Sequence, residues 1–207
     1  IVDMIEDGTN VVVSHGNGPQ VGMINNAFAY AAANDDKTPD MPFPEAGAMS
    51  QGYIGYQLSQ AILNDLKSRD IMRSTACIVT QTVVDEDDPA FQNPTKPVGA
   101  FMDEETAKAK AEAMGITVKE DAGRGWRQVV ASPIPRRIVE FDAVRDLVED
   151  GYIVVSTGGG GVPVFETGDG YVGTPAVIDK DRSSALMAAE LGADMLVILT
   201  AVEKVAI

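Results

Sequence analysis

Apolar residues gather along the chain in short, near-continuous runs, and the segments between them carry a helical period. The runs NVVVS (10–14), ACIVTQTVV (76–84), YIVVST (152–157) and DMLVILT (194–200) are rich in valine and isoleucine and do not alternate with polar residues. Strands covered on both faces have this pattern. Within 50–69, Ile54, Leu58, Ile62 and Leu66 recur every four positions and place one apolar stripe on one helix face. Phe141, Val144, Leu147 and Val148 do the same, and the Ala- and Leu-rich segment 183–191 runs to Gly192, a natural helix stop. Strands alternating with helices predict an α/β protein with a mainly parallel sheet and helices on both faces.

Residues 98–135 interrupt that rhythm. A charged helix, DEETAKAKAEAMG, precedes ITVKEDAGRGWRQVVAS, which reads as two short strands joined through a glycine-containing turn. Pro94, Pro97, Pro133 and Pro135 bracket the block. It reads as an insertion projecting from the sheet, either a lid or a plain surface excursion. Segment 35–48 reads as a proline-rich loop and DEDDP (85–89) as a solvated acidic turn.

Composition narrows the function. The chain has 207 residues, enough for one large domain or two small ones, and a net charge of −15 from 31 acidic and 16 basic residues. That balance argues against nucleic acid and anionic membrane as partners. No apolar run approaches the roughly 20 residues of a membrane span. The one cysteine, Cys77, reads as a buried core thiol; it forms no internal disulfide, so a cytoplasmic setting fits. One histidine and one cysteine cannot build a structural zinc site. Ile1 opens what reads as a helix already under way and Ile207 follows an apolar run, so both ends look cut.

Three features fall where α/β sheets place ligands, beyond the carboxyl ends of strands. Gly16, Asn17, Gly18 and Pro19 follow a valine run and open a helix, an arrangement that turns backbone N–H groups toward an anion. Gly158, Gly159, Gly160 and Gly161 follow YIVV; a run this costly in order points to close approach of backbone to a ligand. In AVIDKDRSS, Lys180 lies between Asp179 and Asp181, so it either holds phosphate or is a surface lysine beside an N-capping Asp181. Lys96 in NPTKPVG, and Arg124 and Arg127 around Trp126, are further sources of the fixed positive charge that phosphoryl transfer needs. Neither glycine stretch is a GxxxxGK[ST] loop, and Gly16, Gly18 and Gly22 are spaced one residue too long for the dinucleotide fingerprint.

SHGNGPQVG, AMSQGYIGYQLSQA, NPTKPVGAF, KEDAGRGWRQVVASP, GGGGVPV, AVIDKD and LVILTAV occur in this order. Together they resemble the carbamate kinases of the amino acid kinase family across essentially the whole chain. The resemblance implies a three-layer αβα sandwich with a protruding helix-plus-hairpin insertion (98–135) inside one kinase domain (1–207). It implies a cytoplasmic homodimer that transfers phosphoryl reversibly between ADP plus carbamoyl phosphate and ATP plus carbamate, with Mg2+, as in fermentative arginine breakdown. It further implies that Gly16, Asn17, Gly18 and Gly158–Gly161 line the substrate and the transferred phosphoryl. Lys180 would contact nucleotide phosphates, Asp181 would orient the lysines and Lys96 would reach the transferring phosphoryl. Thr200, Ala201 and Val202 would begin the adenine wall, and Arg124, Trp126 and Arg127 would belong to the lid. No protein ligand to the metal is assigned. Such kinases begin with a strand and a GGNA-like loop and continue past the position of Ile207, so the chain is expected to be the middle of the enzyme and to bind ADP poorly. The alternatives are another phosphotransferase of the same family and a noncatalytic fragment or binding module.

Overall fold

The computed structural model describes residues 1–199. At its centre β8 (Ile153–Val155) lies between β1 (Val12–Val13) and β2 (Thr75–Cys77), all three parallel. Neighbouring side chains of β8 leave on opposite faces, as the pleat requires. Ile153 packs with Val2, Ile5, Ile62 and Leu66, and Val154 packs with Ile138, Val144 and Met187. The first group comes from α1 (Val2–Glu6) and α3 (Phe43–Ser68). Most of the second comes from α5 (Phe141–Glu149) and α6 (Lys180–Leu191). Helices therefore cover both faces, and the molecule is a three-layer αβα sandwich. Each fully buried valine or isoleucine contributes about 1.5–3 kcal/mol to that stack.

ACIVTQTVV, read as one strand, forms two in different sheets. β2 ends at Cys77, and β3 (Gln81–Val84) belongs to a mixed sheet ordered β10–β9–β3–β7, with β7 (Pro135–Ile138), β9 (Val162–Thr167) and β10 (Gly170–Gly173). The β3–β9 pair is parallel; β9–β10 and β3–β7 are antiparallel. Gln51 causes the break. Its side-chain oxygen accepts the Thr80 amide at 2.9 Å and its nitrogen donates to the Thr80 carbonyl at 3.1 Å, replacing a neighbouring strand there. The sheets still join across this point, where Ile78 donates to the Val155 carbonyl and Val162 to that of Thr80.

Helix ends follow local chemistry. The loop expected over 35–48 is helical from Phe43, because Pro44 suits the first turn, where its missing N–H costs nothing. Gly192 ends α6 at a φ of 63°. Residues 193–199 form no strand; Thr200, Ala201 and Val202 lie outside the described residues.

The block expected to project holds more than a helix and a hairpin. β4 (Lys96–Met102), β6 (Trp126–Val130) and β5 (Thr117–Glu120) form an antiparallel sheet in that order, beside α4 (Glu104–Met114). Asp103 caps α4 through the Thr106 amide at 2.8 Å. The block leans on α2 (Gly18–Asn34) where two glycines meet: a Cβ on Gly22 would stand 3.0 Å from the Cα of Gly99. Asn25, Asn26, Lys110 and Gln128 line a cleft of about 200 Å³ along this seam.

Candidate active site

β1 and β8 are parallel neighbours, so the turns that follow them emerge at one edge and meet. Gly159 donates its amide to the His15 carbonyl at 2.7 Å. This contact accounts for the glycine run. A Cβ on Gly158 would collide with the His15 ring, one on Gly159 with the Asn17 amide group and one on Gly161 with Thr82 Oγ1; one on Gly160 would stand 2.7 Å from the Ile178 carbonyl oxygen. The amides of Gly159, Gly160 and Gly161 are all engaged within the chain. The run was expected to yield space to a ligand, and it also yields space to the chain's own atoms.

Thr157, just before the run, has a φ of 51°, a left-handed conformation that is unfavourable for a β-branched residue. It is fully buried, and its hydroxyl, like that of Ser156, has no partner among the described residues. Strain of this kind costs on the order of 1–3 kcal/mol and persists only where the surroundings enforce it. Thr80 helps to enforce it, its Oγ1 accepting the Thr157 amide at 2.9 Å.

The turn after β1 is more open. Asn17 stands at the N-cap of α2 without capping it, because its Nδ2 donates to Ser50 Oγ at 2.8 Å. Ser50 donates in turn to the Gly47 carbonyl at 2.6 Å. The first-turn amides of a 17-residue helix are thus left for another acceptor, with the positive end of the helix dipole behind them. The stem of Lys180 covers Gly16, its Cδ 3.4 Å from where a Cβ would be.

Asp179, not Asp181, caps α6. Its Oδ1 accepts the Asp181 amide at 3.0 Å, and its Oδ2 accepts Lys96 Nζ at 2.9 Å. Asp181 pairs instead with its neighbour Lys180. Partial burial pushes the Asp179 carboxyl up, but the Lys96 hydrogen bond, the Asp181 amide and the charges of Lys96 and Lys180 outweigh it and hold the group below the ordinary carboxylate value. Both members of the Lys96–Asp179 pair keep 37% of their side-chain exposure, so the pair adds at most about 1 kcal/mol to stability. Its effect is on position. Ser14 Oγ lies 2.6 Å from Ser184 Oγ and ties the end of β1 to α6.

Gly16, Asn17, Gly18, Lys96, Lys180 and Asp181 therefore gather at one sheet edge, together with Asp179, which motif reading treated only as a flank. The rule that identifies N-caps, an acidic residue just before a helix, would have found Asp179 had the first turn been placed three residues earlier, at Lys180 rather than Ser183. Arg124 and Arg127 do not join this group. Both donate to Asp121, at 3.0 and 3.2 Å, and both lie over the Phe101 ring; Arg127 also donates to the Gly99 carbonyl at 3.1 Å. Trp126 lies under the Lys108 ammonium. These residues hold the insertion together.

Two other expectations change. Cys77 is exposed, and among the described residues β2 is an edge strand with β8 as its one neighbour. The acidic turn is not wholly solvated: Asp88 is buried and accepts the amides of Ala90 and Ile134, both at 2.9 Å. Among the described residues, no three His, Cys, Asp or Glu side chains are grouped to hold a metal, and no helix is long and apolar enough to cross a membrane.

A three-layer sandwich with an open helix start, two glycine turns and two lysines at one sheet edge defines an α/β protein whose sheet edge is suited to an anion. The chain belongs to the amino acid kinase family, which residues 1–206 match. It is 54% identical over its full length to the carbamate kinase-like protein YqeA of Escherichia coli K12, and 51% identical over 99% of its length to a carbamate kinase of Staphylococcus haemolyticus. It spans 66% of the length of each of these curated relatives. Among solved structures it resembles carbamate kinase from Giardia lamblia bound to AMP-PNP, with a TM-score of 0.83 and 44% identity, over 93% of this chain and 60% of that one.

Proposed function

We propose that the chain carries the phosphoryl-handling centre of a carbamate kinase, which transfers phosphoryl reversibly between ADP plus carbamoyl phosphate and ATP plus carbamate. One observation carries the reading most directly: Lys96 from the insertion, held by Asp179, and Lys180 from α6, paired with Asp181, stand at the edge where α2 presents uncapped amides. A phosphoryl group in flight needs fixed positive charge and in-line placement more than it needs a protein acid or base. The two lysines supply charge, the α2 amides receive an anion, and the carbamate oxygen is itself the nucleophile. The relative solved with AMP-PNP supports a nucleotide as the second ligand.

Magnesium belongs to this reading as the companion of the nucleotide. Asp179 and Asp181, the carboxylates nearest the lysines, are already paired with them, so the residues present do not form a metal cage. The ion would arrive on phosphate oxygens, as Mg2+ commonly does. A homodimer, a cytoplasmic setting and a place in arginine breakdown are part of the same proposal, supported by likeness to carbamate kinases.

The test is ATP formation from ADP, Mg2+ and carbamoyl phosphate, by this chain and by any longer product of its reading frame, with Lys180→Ala in each. ATP formation that Lys180→Ala abolishes supports the kinase. Its absence from every wild-type form would favour a noncatalytic module, and preference for another acyl or nucleoside phosphate would favour a different kinase of the family.

A further inference from the structure

We propose that Asp179 is the positioning residue of this site: it fixes Lys96 against the start of α6, whose first residue is Lys180, until an anionic phosphate draws the ammonium group away. The inference rests on the phosphoryl-transfer reading and adds a residue to it.

Three features of the geometry carry it. The two oxygens of Asp179 have separate tasks. Oδ1 is held by the Asp181 amide at 3.0 Å, so the start of α6 sets where Oδ2 stands, and Oδ2 receives Lys96 Nζ at 2.9 Å. The backbones beneath the pair are also stitched together. Lys96 lies opposite Val130 in the β4–β6 ladder, and Thr95 donates to the Val130 carbonyl at 3.2 Å. The next residue, Ala131, bridges Ala176 and accepts the Val177 amide at 2.9 Å, two residues before Asp179. Acid and lysine therefore extend from one junction although 83 positions separate them.

The other pairing at this edge cannot do the same work. Asp181 and Lys180 are sequence neighbours, so their contact carries no information about the insertion. Elsewhere in the insertion, Lys108 pairs with Glu104 within its own helix and Lys119 donates to Asn93. Among the described lysines of the insertion, Lys96 is the one bound to a residue of α6 or its cap.

Asp179→Asn tests the proposal because asparagine is as good an N-cap as aspartate and removes only the charge. Two readouts apply. Acylation of Lys96 by an amine-reactive reagent, followed by mass spectrometry against Lys119 as internal reference, reports the pairing without reference to catalysis. It is expected to quicken several-fold in the variant. ATP formation reports the consequence: kcat is expected to fall roughly a hundredfold, the scale of a misplaced catalytic group, with a smaller change in KM for ADP. In a Lys96→Ala background the same substitution is expected to cost little more, since Asp179 acts through Lys96.

Unchanged labelling, or an equal loss of kcat with and without Lys96, overturns the proposal. Asp179→Ser, which also keeps a cap, guards against a folding artefact, with the melting temperature of both variants measured alongside. A wild type that makes no ATP would sink the kinase reading, and labelling would then decide the role of Asp179 alone.

Discussion

Ser183 donates its hydroxyl to the Gly160 carbonyl at 2.8 Å, joining the first turns of α6 to the glycine turn after β8. Thr82, from the other sheet, donates to the same oxygen at 2.9 Å. All three residues are buried, so the carbonyl has no water to fall back on. Ser183→Ala or Thr82→Val alone leaves it one partner and costs about 1 kcal/mol. The double variant orphans it, and its cost should exceed the sum of the singles by a further ~1 kcal/mol. Urea unfolding measures this, and strictly additive losses would mean that the carbonyl has another partner.

Thr157 is a second place to probe the turn. Glycine accepts its φ of 51° without strain and carries no buried hydroxyl. Thr157→Gly should therefore stabilise the fold by about 1 kcal/mol, with the hydrogen bond from the backbone N–H to Thr80 Oγ1 kept. A loss of stability would show that the threonine side chain contributes more packing than its strain costs. A gain in stability with a fall in ATP formation would assign the strain to catalysis.

His15 gives the site a pH dependence. Partial burial disfavours the charged ring and pushes its pKa below the ordinary value, against a smaller opposing effect of the Gly16 carbonyl. The folded state therefore binds a proton less readily than the unfolded one. The contribution of His15 to stability is complete above about pH 6.5 and is lost as pH falls from there through the folded-state value. His15 is the single histidine of the chain, so His15→Gln should flatten the stability profile as pH falls below about 6.5. Denaturant midpoints across that range decide it; parallel slopes for both proteins would place the proton elsewhere.

In the insertion, two arginines that look equivalent in the sequence have different neighbours. Arg124 is 64% exposed, donates to Asp121 three residues away and otherwise lies over the Phe101 ring. Arg127 is 21% exposed and crosses to the Gly99 carbonyl, beside the seam with α2. Arg127→Ala should cost about 1–2 kcal/mol, whereas Arg124→Ala should stay within about 0.5 kcal/mol. Equal melting shifts would contradict the assignment of the Gly99 contact.

Features set by near neighbours in the chain were legible in the sequence. Gly192 stops α6, Ile54, Ile62 and Leu66 turn inward together, and the glycine turn after Val13 opens a helix. Features set at a distance were not. The break in ACIVTQTVV depends on Gln51, 29 positions from Thr80. Exposure of Cys77 depends on its strand lying at a sheet edge, which strand order decides. The capping acid of α6 was misplaced because AVIDKD holds two aspartates with equal local claims, and only the Lys96 contact and the helix start separate them. That the glycine run packs against His15, Asn17, Thr82 and Ile178 was not legible, because a single sequence does not show which other loop lies against it.

Ser14 and Ser184 touch across 170 positions of chain, and that separation governs the order of events during synthesis. Among the described residues β1 has one strand partner, β8, and its turn rests on α6. At about 5–20 residues per second, the ribosome needs on the order of ten seconds to deliver those partners after β1 emerges. Through that interval the valine pair Val12–Val13 lacks its β8 neighbour, and the turn that follows it takes shape only once β8 and α6 have been made.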